Sequence, residues 1–184
     1  ESGYSDSRHP DSIAFAEDIT TDLSRRDFTI NAMAWHPERG LCDPFGGKDD
    51  IESRVIRAVG DPNVRFDEDA LRVLRCLRLA SGLDFDVESR TLGAVIKKAP
   101  ALANISAERV RDELVKLISG SRPELAEVVI QAGGFSHVGI EKISNPKLLR
   151  RLPPAKPVRI AGLLWCCLDD RARQTIKKTL SSLR

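Results

Sequence analysis

The spacing of apolar and polar positions changes once along the chain. Up to about residue 66 the apolar residues come in short runs, and from Asp67 onward they recur at helical spacing. Residues 1–12 are largely polar and read as a loop, and Ile13-Ala14-Phe15 is a short strand candidate. The stretch from Asp22 to Asp27 leads into the apolar patch Phe28 to Trp35, a short helix or helix-to-strand passage. Pro37-Glu38-Arg39-Gly40 is a turn, with Leu41-Cys42-Asp43 as the paired strand beyond it. Pro44-Phe45-Gly46-Gly47 breaks the chain before a short polar helix over 48–53. Val55 to Val59 alternates as a strand, closed by Gly60-Asp61-Pro62. Helices are predicted at 67–82, 88–99, 106–119, 122–133, 145–151, 157–168 and 170–182. Ser106 caps one of them, and Gly120, Gly133-Gly134 and Pro153-Pro154 supply stops. The pattern predicts an α+β protein in which a small mixed piece, 1–66, precedes an all-helical piece.

Composition narrows the class. The 184 residues carry 29 Lys+Arg against 27 Asp+Glu, a net charge of +2 that neither demands nor excludes a nucleic-acid partner. Charges interrupt every apolar run before membrane-spanning length, so no membrane partner is expected. The first residues lack a basic and apolar leader pattern and an initiator Met, and a cytoplasmic segment of a longer protein is expected. The cysteines Cys42, Cys76, Cys166 and Cys167 form no Cys-x-x-Cys pair, and His9, His36 and His137 lie far apart, so no zinc site is expected. Cys76, Cys166 and Cys167 fall in apolar helical patterns and read as small core residues, reduced in the cytosol.

The most unusual segment runs from Arg65 to Arg78. On a helix Ala70, Val73, Leu74 and Leu77 share a face to be buried, while Asp69, Arg72, Arg75 and Arg78 step by three along other faces. The acids Asp67, Glu68 and Asp69 at its start would complement the helix dipole. An amphipathic helix with solvated Arg residues is the plainer reading. Three Arg in line with one nearby acid nevertheless make a poor salt-bridge pattern and a good reader of phosphates or bases. An Asp acceptor beside an Arg donor complements a base edge with an amino donor next to a ring-nitrogen acceptor. Cytosine and adenine present that edge, whereas guanine and uracil present the opposite order and would leave polar groups unpaired.

Three segments in order carry a family resemblance: Ser24-Arg25-Arg26-Asp27-Phe28-Thr29-Ile30-Asn31-Ala32-Met33-Ala34, Asp43-Pro44-Phe45-Gly46-Gly47, and Arg65-Phe66-Asp67-Glu68-Asp69-Ala70-Leu71-Arg72. They closely resemble consecutive motifs of the class II tRNA nucleotidyltransferases, the CCA-adding enzymes related to bacterial poly(A) polymerases. Tyr4 to Pro10 resembles the flexible loop of that family, and Ile105 to Leu114 its neck helix, so the likeness covers roughly residues 3–120. It implies the back part of a nucleotidyltransferase head at 1–66, a neck with a nucleotide-reading helix at 67–120, and the start of a helical body at 121–184. It also implies roles. Arg26 would contact the sugar or phosphate of the nucleotide, with Asp27 and Asn31 shaping that loop. Asp69 and Arg72 would read the incoming C or A, with Glu68 orienting Arg72. Arg75 and Arg78 would hold the triphosphate or lie along the pocket. Plainer roles stand beside these: Arg26 as a surface charge, Asp27 and Asn31 as caps of the following turn.

The activity implied is template-independent addition of C and A to tRNA 3′ ends from CTP and ATP, with Mg²⁺ as cofactor. The family holds that metal with an Asp-x-Asp pair on a strand upstream of the flexible loop, so no catalytic or metal-binding residue is expected in this chain. Asp67-Glu68-Asp69 and Asp84-Phe85-Asp86 offer carboxylates, but the first belongs to the base-reading motif and the second reads as a helix-to-helix turn. The alternatives are a poly(A) polymerase, a CC-adding or A-adding specialist, or a non-catalytic helical RNA-binding module. That module would use the dispersed basic residues from Lys97-Lys98 through Arg150-Arg151 to Lys177-Lys178.

Overall fold

The computed structural model describes residues 19–182; the loop Tyr4–Pro10 and the strand candidate Ile13–Phe15 lie outside the described residues. The chain begins with α1 (Ile19–Ser24), a 3-10 turn at Thr29–Asn31, and a hairpin of β1 (Ala34–His36) and β2 (Gly40–Cys42). Next come α2 (Gly47–Glu52), β3 (Val55–Ile56), α3 (Pro62–Glu68), α4 (Leu71–Leu83), β4 (Asp86–Val87), α5 (Ser89–Lys98) and α6 (Ala107–Ser119). The helices α7 (Ala126–Gln131), α8 (Lys147–Arg151), α9 (Lys156–Cys167) and α10 (Asp170–Ser182) complete it. The fold is α+β, as the periodicity predicts: helices with two separate two-stranded sheets among the described residues. None of its described helices is long and apolar enough to cross a membrane.

The segment Asp43 to Gly47 sets the geometry of the N-terminal part. The Asp43 carboxylate accepts the backbone N–H groups of Gly47 at 2.7 Å and Lys48 at 2.8 Å, which caps α2. Gly46 turns the chain there with φ +71°, a conformation that favours glycine. Gly47 then lies so close to the Thr29 turn that a Cβ would sit 2.2 Å from the Thr29 carbonyl oxygen. Thr29 is pinned from the other side as well. Its hydroxyl donates to the buried Asp50 carboxylate at 2.7 Å, its N–H donates to the Arg57 carbonyl at 2.9 Å, and the Arg57 guanidinium pairs with Asp50 at 3.0 Å. The turn that carries Asp27 and Asn31 is thereby held between α2 and the β3 segment.

The structure corrects the reading around Asp67–Asp69. Instead of one helix over 67–82 there are two, separated at Asp69-Ala70, and the acidic triplet ends α3 rather than opening α4. The physical cause is upstream. Pro62 sits in the first turn of α3 and Asp61 caps it by accepting the Asn63 N–H at 2.9 Å, so a helix is already running when the triplet arrives. Asp69 is extended, at φ −152° and ψ 105°, and its Oδ1 accepts the Leu71 N–H at 3.0 Å at the start of α4. The first turn of α4 contains no acidic residue, so the dipole argument fails there. The strand read over Val55–Val59 is shorter, and it pairs in parallel with β4, in the segment read as a plain inter-helix turn. Ser106 occupies the N-cap of α6 but makes no side-chain cap bond.

The predicted buried face of the Arg-bearing helix is buried: Ala70, Val73, Leu74 and Leu77, joined by Leu71 and the fully buried Cys76. This face packs on α6. The Ser81 hydroxyl donates to the Leu117 carbonyl at 2.9 Å, and Gly120 lets the chain pass where a Cβ would meet Ser81 Oγ at 2.4 Å. The main core extends from Phe28 through α4 to Cys166, while Leu23, Ala32 and Val59 form a small second cluster under the hairpin.

Gly47→Ala is expected to cost about 1–3 kcal/mol, since the Thr29 turn has to move to admit the methyl group. Gly82→Ala, at an exposed helical position with nothing within 4 Å, should be neutral or stabilise by a few tenths of a kcal/mol. Thermal or urea melting of the two variants checks the contrast.

Candidate functional site

The 25–31 turn and the N-terminal half of α4 face one another across a polar cleft of about 480 Å³, a size that suits a small molecule. Arg25, Arg26, Asp27 and Asn31 line it from the turn, and Asp69, Arg72 and Arg75 from the helix break and α4. Four guanidinium groups against two carboxylates give the cleft a lining whose chemistry suits an anion.

Asp27 is the buried centre of this arrangement, at 8% exposure. Its Oδ1 accepts the Phe28 N–H at 2.9 Å and the Asn31 amide at 3.1 Å, and its Oδ2 takes Arg75 Nε and Nη2 at 2.8 and 2.7 Å. Burial alone would raise its pKa. The Asn31 amide, the charge and hydrogen bonds of Arg75 and the Phe28 N–H outweigh that and hold the carboxyl below its ordinary value. The thiol of Cys76 is pushed far up, first by its burial and then by the Asp27 charge. It is inert core, consistent with its apolar helical position.

Asp69 and Arg72 reach the cleft with part of their bonding capacity committed and part free. Asp69 Oδ2 accepts Arg109 Nη2 at 2.9 Å, while Oδ1 is held by the Leu71 N–H. Arg72 Nη1 donates to Glu68 Oε2 at 2.5 Å and to the Arg65 carbonyl at 3.0 Å, and Nη2 donates to the Arg25 carbonyl at 3.4 Å. A guanidinium has five N–H donors, so the Arg72 Nε–H and one Nη2–H remain for a ligand; each Asp69 oxygen keeps a lone pair. The two side chains together offer a fixed acceptor and fixed donors along one wall.

The remaining predicted residues are placed differently. Arg26 is on the rim, its side chain 54% exposed and paired with Asp22 at 3.3 Å. Glu68 stands behind Arg72 rather than in the cleft lining. Arg78 does not line the cleft. It faces α6 and forms an ion pair with the buried Glu113 at 2.8 Å. Each Arg of the ridge therefore has its own acid, Arg72 with Glu68, Arg75 with Asp27 and Arg78 with Glu113, the last two supplied from distant parts of the chain. Two residues in the site had no role assigned from sequence: Arg25, which lines the cleft, and Arg109, which holds Asp69. Adjacency to Arg26 is a signal for the first; the second is 40 positions from Asp69 and only the packing of α6 on α4 brings it there.

The described residues do not fit a divalent metal. No group of three or more His, Cys, Asp or Glu among them is arranged to hold one. Asp67 is paired with Lys98, Glu68 with Arg65 and Arg72, and Asp69 with Arg109, so the acidic triplet is committed to cations already present. Asp84 and Asp86 likewise pair with Arg54 and Arg122.

The profile of the "Poly A polymerase head domain" matches residues 1–57, and that of the "Probable RNA and SrmB- binding site of polymerase A" matches residues 84–127. The CCA-adding enzyme of Pediococcus pentosaceus is 50% identical over 123 residues, 67% of this chain and 31% of the relative. That of Enterococcus faecalis is 48% identical over 120 residues, 65% of this chain and 30% of the relative. The chain thus spans about a third of the length of the curated relatives it matches. Among solved structures, the CCA-adding enzyme of Bacillus stearothermophilus in complex with CTP aligns with a TM-score of 0.68 at 36% identity, over 76% of this chain and 36% of the other. The Thermotoga maritima CCA-adding enzyme complexed with tRNA aligns with a TM-score of 0.55 at 34% identity, over 62% and 30%. In sequence and in fold, the chain belongs to the family of class II tRNA nucleotidyltransferases and bacterial poly(A) polymerases.

Proposed function

We propose that this chain carries the nucleotide-selecting part of an enzyme that adds C and A to tRNA 3′ ends from CTP and ATP without a nucleic-acid template. The observation that carries the reading is the wall of the cleft, where Asp69 and Arg72 are fixed by protein contacts and each retains bonding capacity. Asp69 accepts from an exocyclic amino group while Arg72 donates to the neighbouring ring nitrogen or carbonyl, a match for C and A and a mismatch for G and U. The turn opposite, with Arg25 and with Arg26 on the rim, and Arg75 farther along α4 would suit the triphosphate. The relatives are CCA-adding enzymes, and solved neighbours carry CTP, ATP or tRNA.

In this reading residues 1–66 belong to the head, 67–120 to the neck and 121–184 to the body, with tRNA as the macromolecular partner. The cofactor is Mg²⁺, held by carboxylates outside the described residues. What the described residues do is bind and orient. Asp27, ionised and buried, fixes Arg75 and Asn31, and so fixes the turn that faces the triphosphate.

The test is a transfer assay on the full-length protein with a tRNA lacking its 3′ CCA, Mg²⁺ and each nucleoside triphosphate singly and in pairs. Two C and one A followed by a stop are expected; a long A tail would make it a poly(A) polymerase, and no incorporation would favour an RNA-binding module. Asp69→Ala and Arg72→Ala should each lower use of CTP and ATP together and erode rejection of UTP and GTP by about tenfold to a hundredfold. Unchanged selectivity in both would sink the base-reading role.

A pH series separates the structural part of Asp27. Its carboxyl titrates lower in the folded protein than in the unfolded chain, so its stabilising contribution is complete above the unfolded value, near pH 4. That contribution fades as the pH falls through the lower folded value. Asp27→Asn is therefore expected to be less stable at neutral pH and to lose less stability on acidification, as measured by urea melts from pH 7 downward.

A further inference from the structure

Arg65 stands in the sequence motif but not in the cleft, and the base-reading role proposed for Arg72 leaves it without a task. Its side chain is 17% exposed and bonds to the protein on two sides. Nη1 donates to Glu68 Oε2 at 2.9 Å and Nε donates to the Val59 carbonyl at 3.3 Å, while its own carbonyl accepts Arg72 Nη1 at 3.0 Å. The Glu68 oxygen that it holds is the one that accepts Arg72 Nη1. Both acceptors that orient Arg72 Nη1 are therefore set by one residue, one through its backbone and one through its side chain.

We propose that Arg65 is a positioning residue for the Arg72 guanidinium and thereby a determinant of base selectivity, without touching the nucleotide; this rests on the reading of Arg72 given above. The need for it follows from Glu68, whose side chain is 42% exposed and has several free torsions. Held by Arg72 alone, that carboxylate and the guanidinium move together as a flexible pair. With Arg65 anchored on the Val59 carbonyl, the carboxylate has a fixed position and both Nη1 hydrogens of Arg72 point into α3. The Nε and Nη2 edge is what remains for the ligand, and its direction is then set by the fold. Lys at this position keeps the charge beside Glu68, but a single ammonium lacks the planar fork that bonds Val59 and Glu68 in two directions.

The mechanism makes a specific demand. Arg65 contributes no charge to the cleft lining, so its loss should disturb which base is accepted while leaving the attraction for phosphates alone. Equilibrium dissociation constants of the full-length protein for CTP, UTP, ATP, GTP and inorganic tripolyphosphate, with Mg²⁺ present, provide the readout. In Arg65→Gln the preferences for CTP over UTP and for ATP over GTP are expected to fall about three- to tenfold, a fraction of what a bidentate base contact is worth. Tripolyphosphate binding should be unchanged, and Arg65→Lys should show a smaller fall. Because Arg65 acts through Arg72, adding Arg65→Gln to Arg72→Ala should lower the preference no further. Wild-type preferences in Arg65→Gln, alongside a loss in Arg72→Ala, would overturn the positioning role and leave the base-reading role standing. Full additivity in the double variant would also overturn it. Wild-type preferences in Arg72→Ala would overturn the base-reading role first and this one with it. Melting by circular dichroism identifies any variant that fails to fold; if Arg65→Gln does, Arg65→Lys carries the same comparison, and a wild-type preference there at intact fold counts against the proposal.

Discussion

The ion pair between the buried Asp27 and the half-exposed Arg75 is the interaction on which the cleft depends. Asp27 sits on a turn at the start of the described chain and Arg75 on α4, 48 residues later, and the carboxylate is only 8% exposed. A carboxylate so placed is tolerable because each oxygen is bonded: to the Phe28 N–H and the Asn31 amide on one side and to the guanidinium on the other. Removing Arg75 would leave the Asp27 carboxylate buried without its cation, whereas the Arg75 side chain, 39% exposed, keeps access to water. The pair therefore fixes the distance between the two walls. It ties the 25–31 turn to α4, and the Thr29–Asp50–Arg57 linkage extends the same fixation to α2 and the segment after β3.

That constraint explains how an Arg-rich cleft is compatible with a stable fold. Four guanidinium groups line it, yet Arg25 is paired with Asp22, Arg26 with the same Asp22, Arg75 with Asp27 and Arg72 with Glu68. Each pairing uses one edge of a planar fork that has five donors. The positive surplus needed for an anionic ligand survives while no guanidinium is left to repel its neighbours unpaired. Exposed pairs such as Arg26 with Asp22 contribute little to stability and serve mainly to set side-chain direction.

The division of labour also shows what was legible in the sequence. The buried face of α4 and the bounds of α5, α6, α8, α9 and α10 to within two residues follow from spacing, because helix amphipathicity is written locally. The helix expected over 122–133 is shorter, a 3-10 turn at Pro123–Leu125 followed by α7. The hairpin at Pro37–Gly40 is also written locally. The break at Asp69-Ala70 is not legible from spacing: Gly60-Asp61-Pro62 serves equally as a strand end and as a helix start, and only the second use makes the acidic triplet the end of α3. The two-residue parallel pairing of β3 with β4 has no local signature, since only three-dimensional packing brings Asp86 beside Val55. Around the cleft, local spacing does not carry the distant ion-pair partners: Arg109 and Glu113 come from α6 and are paired to Asp69 and Arg78 by the α4–α6 seam.

On the proposed reading, a template-independent selector would have to distinguish bases with groups that stay fixed when the ligand arrives, because a mobile Arg or Asp discriminates poorly between base edges. Fixation requires contacts, and contacts consume donors and acceptors that would otherwise be offered to the base. The break between α3 and α4 resolves this competition. An extended residue between two helices, Asp69 has one oxygen on the backbone of the second helix and the other on α6. Arg72, one turn later, is anchored by the end of the first helix through Glu68 and the Arg65 carbonyl. A continuous helix over 67–82 would keep Glu68 and Arg72 at i,i+4 spacing but would not give Asp69 the extended backbone from which its Oδ1 accepts the Leu71 N–H. The irregular step in the backbone is what turns a row of charges into a wall with a fixed order of acceptor and donor.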